Sequence, residues 1–548
     1  MSSSKLLRGT FILTLGIMMS RILGLVYVFP FYQLVGKQGG ALYAYGYVPY
    51  QIFISLATAG VPLAVSKFVS KYNALGEYRT GYRLFRSGLL LMTITGIVSC
   101  MVLYTIAPWI APFVIEEQTK GNSIADVVTV IRAVSFALII VPVMSLIRGF
   151  FQGHESMGPT ALSQVVEQLV RIIFLLVGCY IVLRMLEGSL VTAISVATFA
   201  AFVGALGGLV VLIWYWWKRK AYLNDLLAQD RGQLHPPLKE MYKELIMYAA
   251  PFVFVGLATP LYQLIDQFTF NRAMASIGLE KISEEAYSIF NVWGQKLVII
   301  PVTLATSFGL TLIPTITKAY VAGDRKSLRK YLNQTFQVVM FLTLPAVVGM
   351  ALLAEPVYAA FYSYDPLGEQ VLRWYAPAAI LFALFSVTAA VLQGINQQRF
   401  TVISLTLGLF VKLSLNTFLI TKFATVGAVL ATTFGYFVSV LFNLSIIKKY
   451  TNYRYNFVIR RTVLISIFTT IMSICVAIVL YVCEWLFDYQ GGRMESMVVV
   501  VISAIVGAGV YFFMSERTGL LASLFGNRFA FLQRKKRRRG YRDQPSSH

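Results

Sequence analysis

The sequence has 548 residues, of which 57% are hydrophobic and only 13% are charged. A soluble protein carries roughly 25% charged residues, so the composition excludes an ordinary soluble enzyme and a disordered chain. The net charge of +23 fits Lys and Arg gathered in loops beside a membrane better than it fits nucleic-acid binding.

Apolar stretches long enough to cross about 30 Å of hydrocarbon, at about 1.5 Å per residue, recur along the whole chain. They predict an all-α polytopic membrane protein with fourteen transmembrane helices. The predicted spans are 10–35, 44–66, 88–113, 128–151, 159–183, 190–217, 245–270, 287–316, 332–354, 374–394, 400–421, 424–447, 462–487 and 497–515. The first span carries Arg21 in its middle and no small-residue cleavage site, so we expect a retained helix and not a signal peptide.

Charge in the loops predicts the topology. Residues 67–87 and 317–331, after the second and eighth spans, each hold five Lys or Arg, whereas the loop after the third span has Glu116, Glu117 and Asp126. By the positive-inside rule, both termini are expected on the cytoplasmic side of the membrane. The basic run Arg534–Arg539 is then expected to contact anionic lipid headgroups or to anchor the topology.

The two halves of the chain resemble each other. Gln152-Gly153 and Gln393-Gly394 end equivalent spans, and nineteen residues after each Gln stand Arg171 and Lys412. Gly76-Glu77 and Gly323-Asp324 also match. Because each repeat has an even number of spans, the two lobes are expected to be related by a pseudo-two-fold axis along the membrane normal. The predicted parts are an N-lobe 1–217, a cytoplasmic linker 218–244, a C-lobe 245–447, spans 13 and 14 in 448–515, and a basic tail 516–548.

Prolines interrupt corresponding spans. Pro removes a helical hydrogen bond and bends the helix, and broken helices often line the cavity of a transporter. The alternative is that spanning helices simply tolerate Pro. The predicted hinge positions are Pro30, Pro49, Pro62, Pro260, Pro301 and Pro314.

Ionisable residues inside the spans are the main functional signal. A charge at the centre of a spanning helix costs about 2.5–3.5 kcal/mol on insertion scales, so each needs a role. The residues that we place there are Arg21, Arg132, Arg171, Lys296, Lys412, Glu167 and Asp266. Cations outnumber acids, which predicts an anionic substrate.

The seven ionisable residues differ in whether an opposite charge or the membrane interface is within reach. Glu167 and Arg171 stand four residues apart on one helix and can form a purely structural pair. Arg132 and Asp266 lie near the outer ends of their spans and can reach the interface. Lys412 has no acid on its own helix, and a structural role is open for it as well.

Arg21 and Lys296 have no local counter-charge at all. A permanently charged guanidinium at mid-depth needs water or an anion beside it. We therefore predict substrate contacts for Arg21, Lys296, Arg171 and Lys412. Asp266 and Glu167 are the candidates for ion or proton coupling.

Other chemistry is not indicated. There is no G-x-x-x-x-G-K-[ST] phosphate loop and no evident nucleophile–base pair, so we expect a transporter and not an enzyme. The four cysteines lie in apolar spans without metal-ligand spacing, which favours packing roles. No metal and no cofactor is expected.

Two segments carry a family resemblance. Ser20-Arg21-Ile-Leu-Gly24, with Gly36 and Pro49, and Gln295-Lys296-Leu297, with Pro301 and Leu312-Ile-Pro314, resemble the first and eighth helices of MurJ-type lipid II flippases. These belong to the multidrug/oligosaccharidyl-lipid/polysaccharide exporter superfamily. The resemblance covers essentially the whole chain and is nearest to the Gram-positive branch that includes the stage V sporulation protein B group.

The resemblance implies fourteen helices and essential cations at Arg21 and Lys296. Two other family arginines correspond to Tyr27 and to Phe53 or Ile54 here. It also implies transport of lipid II from inner to outer leaflet by alternating access, with spans 13 and 14 forming a groove for the polyprenyl tail. The expected partners are this lipid-linked substrate, membrane lipids and cell-wall synthesis proteins, with a monomeric transporter and no nucleic acid.

Three alternatives stay open at this point. One is a flippase for another lipid-linked polysaccharide unit, such as a teichoic acid or capsule precursor. A second is a cation-coupled multidrug exporter, against which the cationic surplus argues. The third is a scaffold protein without transport activity, whose embedded charges would be dispensable.

Overall fold

A computed structural model describes residues 15–16, 18–58, 60–115, 121–233, 236–486 and 492–525. Helices make up the architecture, and these ranges contain no strand, which confirms the predicted all-α class. Glu116, Glu117 and the basic run Arg534–Arg539 lie outside the described residues.

The chain forms two compact units. The first consists of residues 1–296 and 401–435, and the second of residues 297–400 and 436–548. Helices that lie wholly in the first unit are Val28–Thr58, Val61–Leu75, Tyr78–Val114, Ile124–Ser135, Ala137–Gly153, Met157–Tyr180, Leu190–Ala228, Leu238–Ala275 and Glu280–Ser288. Two π-helical segments, Ile181–Met185 and Ile289–Gly294, interrupt them.

Helices that lie wholly in the second unit are Ile313–Val321, Arg325–Leu352, Ala354–Phe361, Pro366–Tyr375, Ala378–Gly394, Asn456–Leu486, Arg493–Arg517 and Leu520–Phe525. The helices Gln295–Leu310 and Arg399–Thr451 contribute residues to both units.

Among the described residues, ten helices are long and apolar enough to cross a membrane, and two bent helix pairs bring the number to twelve. Two of the ten contain a sharp backbone break, at Gly36 (φ 64°, ψ −163°) and at Ala424 (φ 49°, ψ −132°). Dividing both helices at these breaks gives the predicted fourteen, with which the structure is consistent.

Two helices in equivalent repeat positions end with the same cap. Gly76 and Gly323 both have positive φ, 76° and 68°. In each case the next backbone N–H, that of Glu77 or Asp324, donates to the carbonyl five residues earlier, at 2.9 and 3.0 Å. This is the Schellman arrangement, for which glycine is suited because it has no Cβ.

The two Gln-Gly matches also share their local structure. Two residues after each pair, Glu155 and Asn396 have φ of 56° and 60°. The following N–H groups, of Ser156 and Gln397, donate to carbonyls five residues earlier at 2.9 and 2.7 Å. Matching caps at both places support the internal repeat, while the lobe boundaries stay a prediction.

Several of the predicted hinge prolines lie at or near helix breaks. Pro62 and Pro314 stand in the first turns of helices that follow a break. Pro49 and Pro301 lie inside helices, and Pro30 lies near the start of Val28–Thr58.

The helix Leu238–Ala275 bends by 45° between Ala250 and Phe252. Pro260 lies inside the continuous piece that follows this bend, so its hinge role stays a prediction.

Candidate functional site

Arg171 is held by tyrosines from a neighbouring helix. It lies on Met157–Tyr180, and its Nη2 donates to the hydroxyls of Tyr43 and Tyr47 at 3.1 and 2.8 Å. The guanidinium carbon lies 5.2 Å from the centre of the Tyr47 ring. Gly204 allows a close approach on the other side, since a Cβ there would lie 2.7 Å from Cβ of Arg171.

Tyr27 links this cluster to Lys296. The Tyr27 hydroxyl hydrogen-bonds with that of Tyr43, and the side chains of Lys296 and Arg171 both lie near Tyr27. Arg171 and Lys296 are each half-buried. Two of the four predicted substrate cations therefore lie near one tyrosine cluster within the first unit.

Packing and hydrogen bonds fix the backbone beside Lys296. Trp293 is fully buried and meets the ring of Tyr32 edge-on at 5.0 Å. A Cβ on Gly40 would lie 2.5 Å from the Trp293 ring, so only glycine fits there. Gln295, next to Lys296, accepts a hydrogen bond from Gln263 at 2.6 Å.

Arg21 is exposed on the helical stretch 18–26. Backbone hydrogen bonds continue this helix through Tyr27, which places Arg21 about 9 Å along the axis from Tyr27. Gly24 packs this stretch against the helix of Arg171, since a Cβ on Gly24 would lie 3.3 Å from Gln168. Arg21 thus belongs to the same group of helices as Arg171.

Glu167 has a different partner from the one predicted. Its carboxylate accepts from Nη2 of Arg148 at 2.7 Å, whereas Arg171 donates to the tyrosines. The predicted local pair of Glu167 with Arg171 is therefore wrong. Arg148, on the adjacent helix Ala137–Gly153, also donates to Ser163 at 2.9 Å, which orients it toward Glu167.

Lys412 and Asp266 form a buried ion pair. Nζ of Lys412 lies 2.8 Å from Oδ2 of Asp266 and 2.5 Å from Oγ1 of Thr432. Asn416 donates to Oδ1 of Asp266 at 3.1 Å. Lys412 is 0% exposed and Asp266 2%. The expectation that Asp266 reaches the outer interface is wrong, because its carboxylate is used inside the first unit. Lys412 contacts neighbouring helices instead of an open surface.

Arg132 contacts Tyr104, and its predicted reach to the outer interface stays a prediction. Its Nε donates to the backbone carbonyl of Tyr104 at 3.4 Å, and its guanidinium lies over that ring at 4.8 Å. Both contacts are to Tyr104, which is not part of the tyrosine cluster around Arg171.

The arrangement is suited to an anion. Half-buried guanidinium and ammonium groups, with phenol hydroxyls beside them, bind phosphate oxygens through charge-assisted hydrogen bonds. Across the described part of the chain, no group of three or more His, Cys, Asp or Glu is placed to hold a metal ion.

Sequence reasoning missed two parts of this site. Tyr43, Tyr47 and Tyr50 recur at helical spacing on Val28–Thr58, a pattern that marks one helix face and was available in the sequence. Arg148 stands near the inner end of the predicted span 128–151 and was not counted among the intramembrane charges.

Comparison with known proteins gives matches over the whole chain. The family profile described as Polysaccharide biosynthesis protein matches residues 6–320, and that described as MatE matches residues 251–418. The lipid II flippase MurJ of Bacillus subtilis (strain 168) is 50% identical over 543 residues, which cover 98% of this chain and all of the relative.

More distant relatives agree with this. Stage V sporulation protein B of the same organism is 23% identical, over 82% of this chain and 85% of its own length. A solved structure, "Lipid II flippase MurJ, inward closed conformation", superposes with a TM-score of 0.66 at 14% identity, covering 93% of this chain and 99% of the other. At that identity the structural likeness speaks for the fold alone.

Proposed function

The chain belongs to the MurJ family of lipid II flippases, and we propose that it moves lipid II from the inner to the outer leaflet of the bacterial plasma membrane by alternating access. The protein is a multi-pass membrane transporter and not an enzyme. The observation that carries the substrate assignment, on a chain of this family, is the pair of cations Arg171 and Lys296 at one tyrosine cluster.

We propose that the lipid pyrophosphate binds at the tyrosine cluster beside Arg171 and Lys296, and that Arg21, on the helical stretch 18–26, contributes a further cation to the substrate path. A pyrophosphate carries several oxygens that can accept hydrogen bonds from a guanidinium fork and an ammonium together. The half-buried positions of Arg171 and Lys296 strengthen such bonds, because the local dielectric is lower than in water. The tyrosine hydroxyls that now hold Arg171 can donate to the same oxygens.

Lys412 is a weaker candidate for substrate contact. It is fully buried and its ammonium already lies beside Asp266 and Thr432. A substrate phosphate would have to displace the carboxylate from the ammonium. We therefore propose that Lys412 acts as the internal counter-charge of Asp266, in the repeat position that Arg171 fills in the other half.

The two acids are proposed to be structural for the same reason. Asp266 is neutralised by Lys412 and Glu167 by Arg148, so a coupling cation would compete with a bound ammonium or guanidinium. The membrane potential is the remaining source of energy for a charged substrate, at about 2.3 kcal/mol per charge per 100 mV.

The finer architecture is part of the same proposal. Residues 1–217 and 245–447 are the two moving lobes, the breaks beside Pro62 and Pro314 are hinges, and both termini are cytoplasmic. Spans 13 and 14, within 448–515, take the polyprenyl tail. The transporter works as a monomer and meets cell-wall synthesis proteins through its substrate.

Depletion of the protein in its host tests the substrate class. Lipid extracts analysed by mass spectrometry are expected to show lipid II accumulating, with precursors of teichoic acid and capsule unchanged. Accumulation of one of those other lipid-linked intermediates instead would assign the flippase to that pathway and overturn the lipid II proposal.

A further inference from the structure

A second cationic site lies wholly within the second unit. A cavity of about 610 Å³ there is lined by four cations from the start of Arg325–Leu352 and by Arg461 from Asn456–Leu486. We propose that this cavity binds the phosphate headgroup of an anionic membrane phospholipid. The proposal does not depend on which lipid-linked substrate the protein transports.

One face of a helix builds most of the cavity. The lining residues of Arg325–Leu352 stand at positions 325, 326, 329, 330, 333, 334 and 337, a spacing that keeps them on one side of the helix. The stripe extends about 18 Å along the axis. It begins with exposed cations and ends at Gln337, which is 5% exposed. The site therefore has depth as well as charge.

Other segments of the second unit close the cavity. Nε2 of Gln334 donates to the carbonyl of Leu524 at 2.8 Å, which fixes the short helix Leu520–Phe525 against the stripe. Asn333 accepts from the hydroxyl of Tyr453 at 2.5 Å. These bonds hold the walls in place without using the cationic groups.

Within the described ranges, the cations of the cavity form no salt bridge. They are Arg325, Lys326, Arg329, Lys330 and Arg461. The nearest acid in sequence, Asp324, caps the helix by accepting from the N–H groups of Lys326 and Ser327 at 3.1 and 3.0 Å. Hydrogen bonds from Ser327 lower the pKa of Asp324, so it remains an ionised cap. Like charges this close repel each other, and a bound anion relieves that repulsion.

The apolar surroundings favour a lipid over a free phosphate. Phe457 lines the cavity and is 47% exposed, and on the same helix Ile459 and Val463 are 58% and 55% exposed. Exposed apolar residues on a spanning helix face acyl chains. The sequence also predicts that these cations stand on the cytoplasmic side of the membrane. On that side, basic pockets between helices bind anionic headgroups.

Native mass spectrometry of the purified full-length protein tests the site. Phosphatidylglycerol, cardiolipin, phosphatidylcholine and undecaprenyl pyrophosphate are added in turn to wild type, Arg329→Gln/Lys330→Gln and Arg461→Gln, and bound lipid is then challenged with inorganic phosphate. The matched control is Lys448→Gln/Lys449→Gln, which removes two adjacent exposed cations from the end of Arg399–Thr451, outside the cavity.

Wild type and control are expected to retain phosphatidylglycerol or cardiolipin in preference to phosphatidylcholine. The Arg329→Gln/Lys330→Gln protein is expected to bind them roughly 30-fold more weakly, and Arg461→Gln about 5-fold more weakly. The changed side chains are on the surface or half-buried, and circular dichroism checks that the helices are retained.

Three results would overturn the proposal. Equal lipid retention by the cavity variants and the control would remove the cavity as the site. Displacement of the lipid by inorganic phosphate at equal concentration would indicate a soluble-phosphate site. Retention of undecaprenyl pyrophosphate without phosphatidylglycerol or cardiolipin would indicate a docking site for the transported lipid.

Discussion

The ammonium of Lys412 lies 2.8 Å from the carboxylate of Asp266, a residue 146 positions earlier in the chain, and both side chains are buried. Asn416 and Thr432 complete the hydrogen bonds around this pair. The charge of each residue is tolerated in the interior because the other is there.

Removing one member of this pair is expected to destabilise the protein strongly. Lys412→Met or Asp266→Asn alone leaves an uncompensated buried charge, at a cost of about 3–5 kcal/mol. The double variant Lys412→Met/Asp266→Asn should recover most of that loss. Thermal unfolding in detergent measures this cycle, with Lys422→Met, at an exposed position of the same helix, as the control. Additive losses in the double variant would contradict the structural role.

Glu167 is expected to be dispensable for energy coupling. Its carboxylate is already paired with Arg148, so Glu167→Gln should keep the pH profile and Na⁺ response of flipping while lowering stability by about 1 kcal/mol. Flipping in vesicles at varied external pH and Na⁺ checks this. A flattened pH profile in the variant would make Glu167 a proton carrier.

Arg171 and Arg132 make a matched pair of intramembrane arginines. Arg171→Gln removes a guanidinium from the tyrosine cluster and should lower flipping by on the order of tenfold or more at normal membrane levels. Arg132→Gln removes a guanidinium whose contacts in the described part of the chain are to Tyr104, and this variant should leave flipping unchanged. Equal flipping rates for the two variants would show that Arg171 does not take part in substrate binding.

Replacing Gly36 is expected to destabilise the protein because of its backbone conformation and not because of steric contacts. Its φ of 64° and ψ of −163° lie in a region that is essentially restricted to glycine, although a Cβ added there would have no atom within 4 Å. Gly36→Ala should therefore cost about 1–3 kcal/mol. Gly158→Ala, equally open but helical, should be neutral or stabilising by up to about 1 kcal/mol. Similar unfolding temperatures would refute the assigned break.

The sequence predicted the fold class because apolar span length and loop charge are properties of single segments. The repeat was also readable, since Gly76 and Gly323 each require a positive φ at the same helix end. Such features depend on a few neighbouring residues and need no tertiary information.

Side-chain contacts between different helices could not be predicted from the sequence in this way. Glu167 had an arginine four residues away, yet its carboxylate pairs with Arg148 on another helix, because side-chain direction and not spacing decides the contact. Asp266 and Lys412 are brought together only by the packing of distant segments. Tyr43 and Tyr47 showed helical spacing, but that spacing does not reveal that an arginine lies against them.

The central claim is that this protein carries lipid II through a site containing Arg21 and Lys296. The most direct measurement is the fraction of lipid II accessible at the outer surface of depleted cells that express wild type, Arg21→Ala, Lys296→Ala or Lys296→Arg at equal membrane levels. We expect wild type to restore outer lipid II, both Ala variants to fail, and Lys296→Arg to retain activity. Full restoration by both Ala variants would contradict the account.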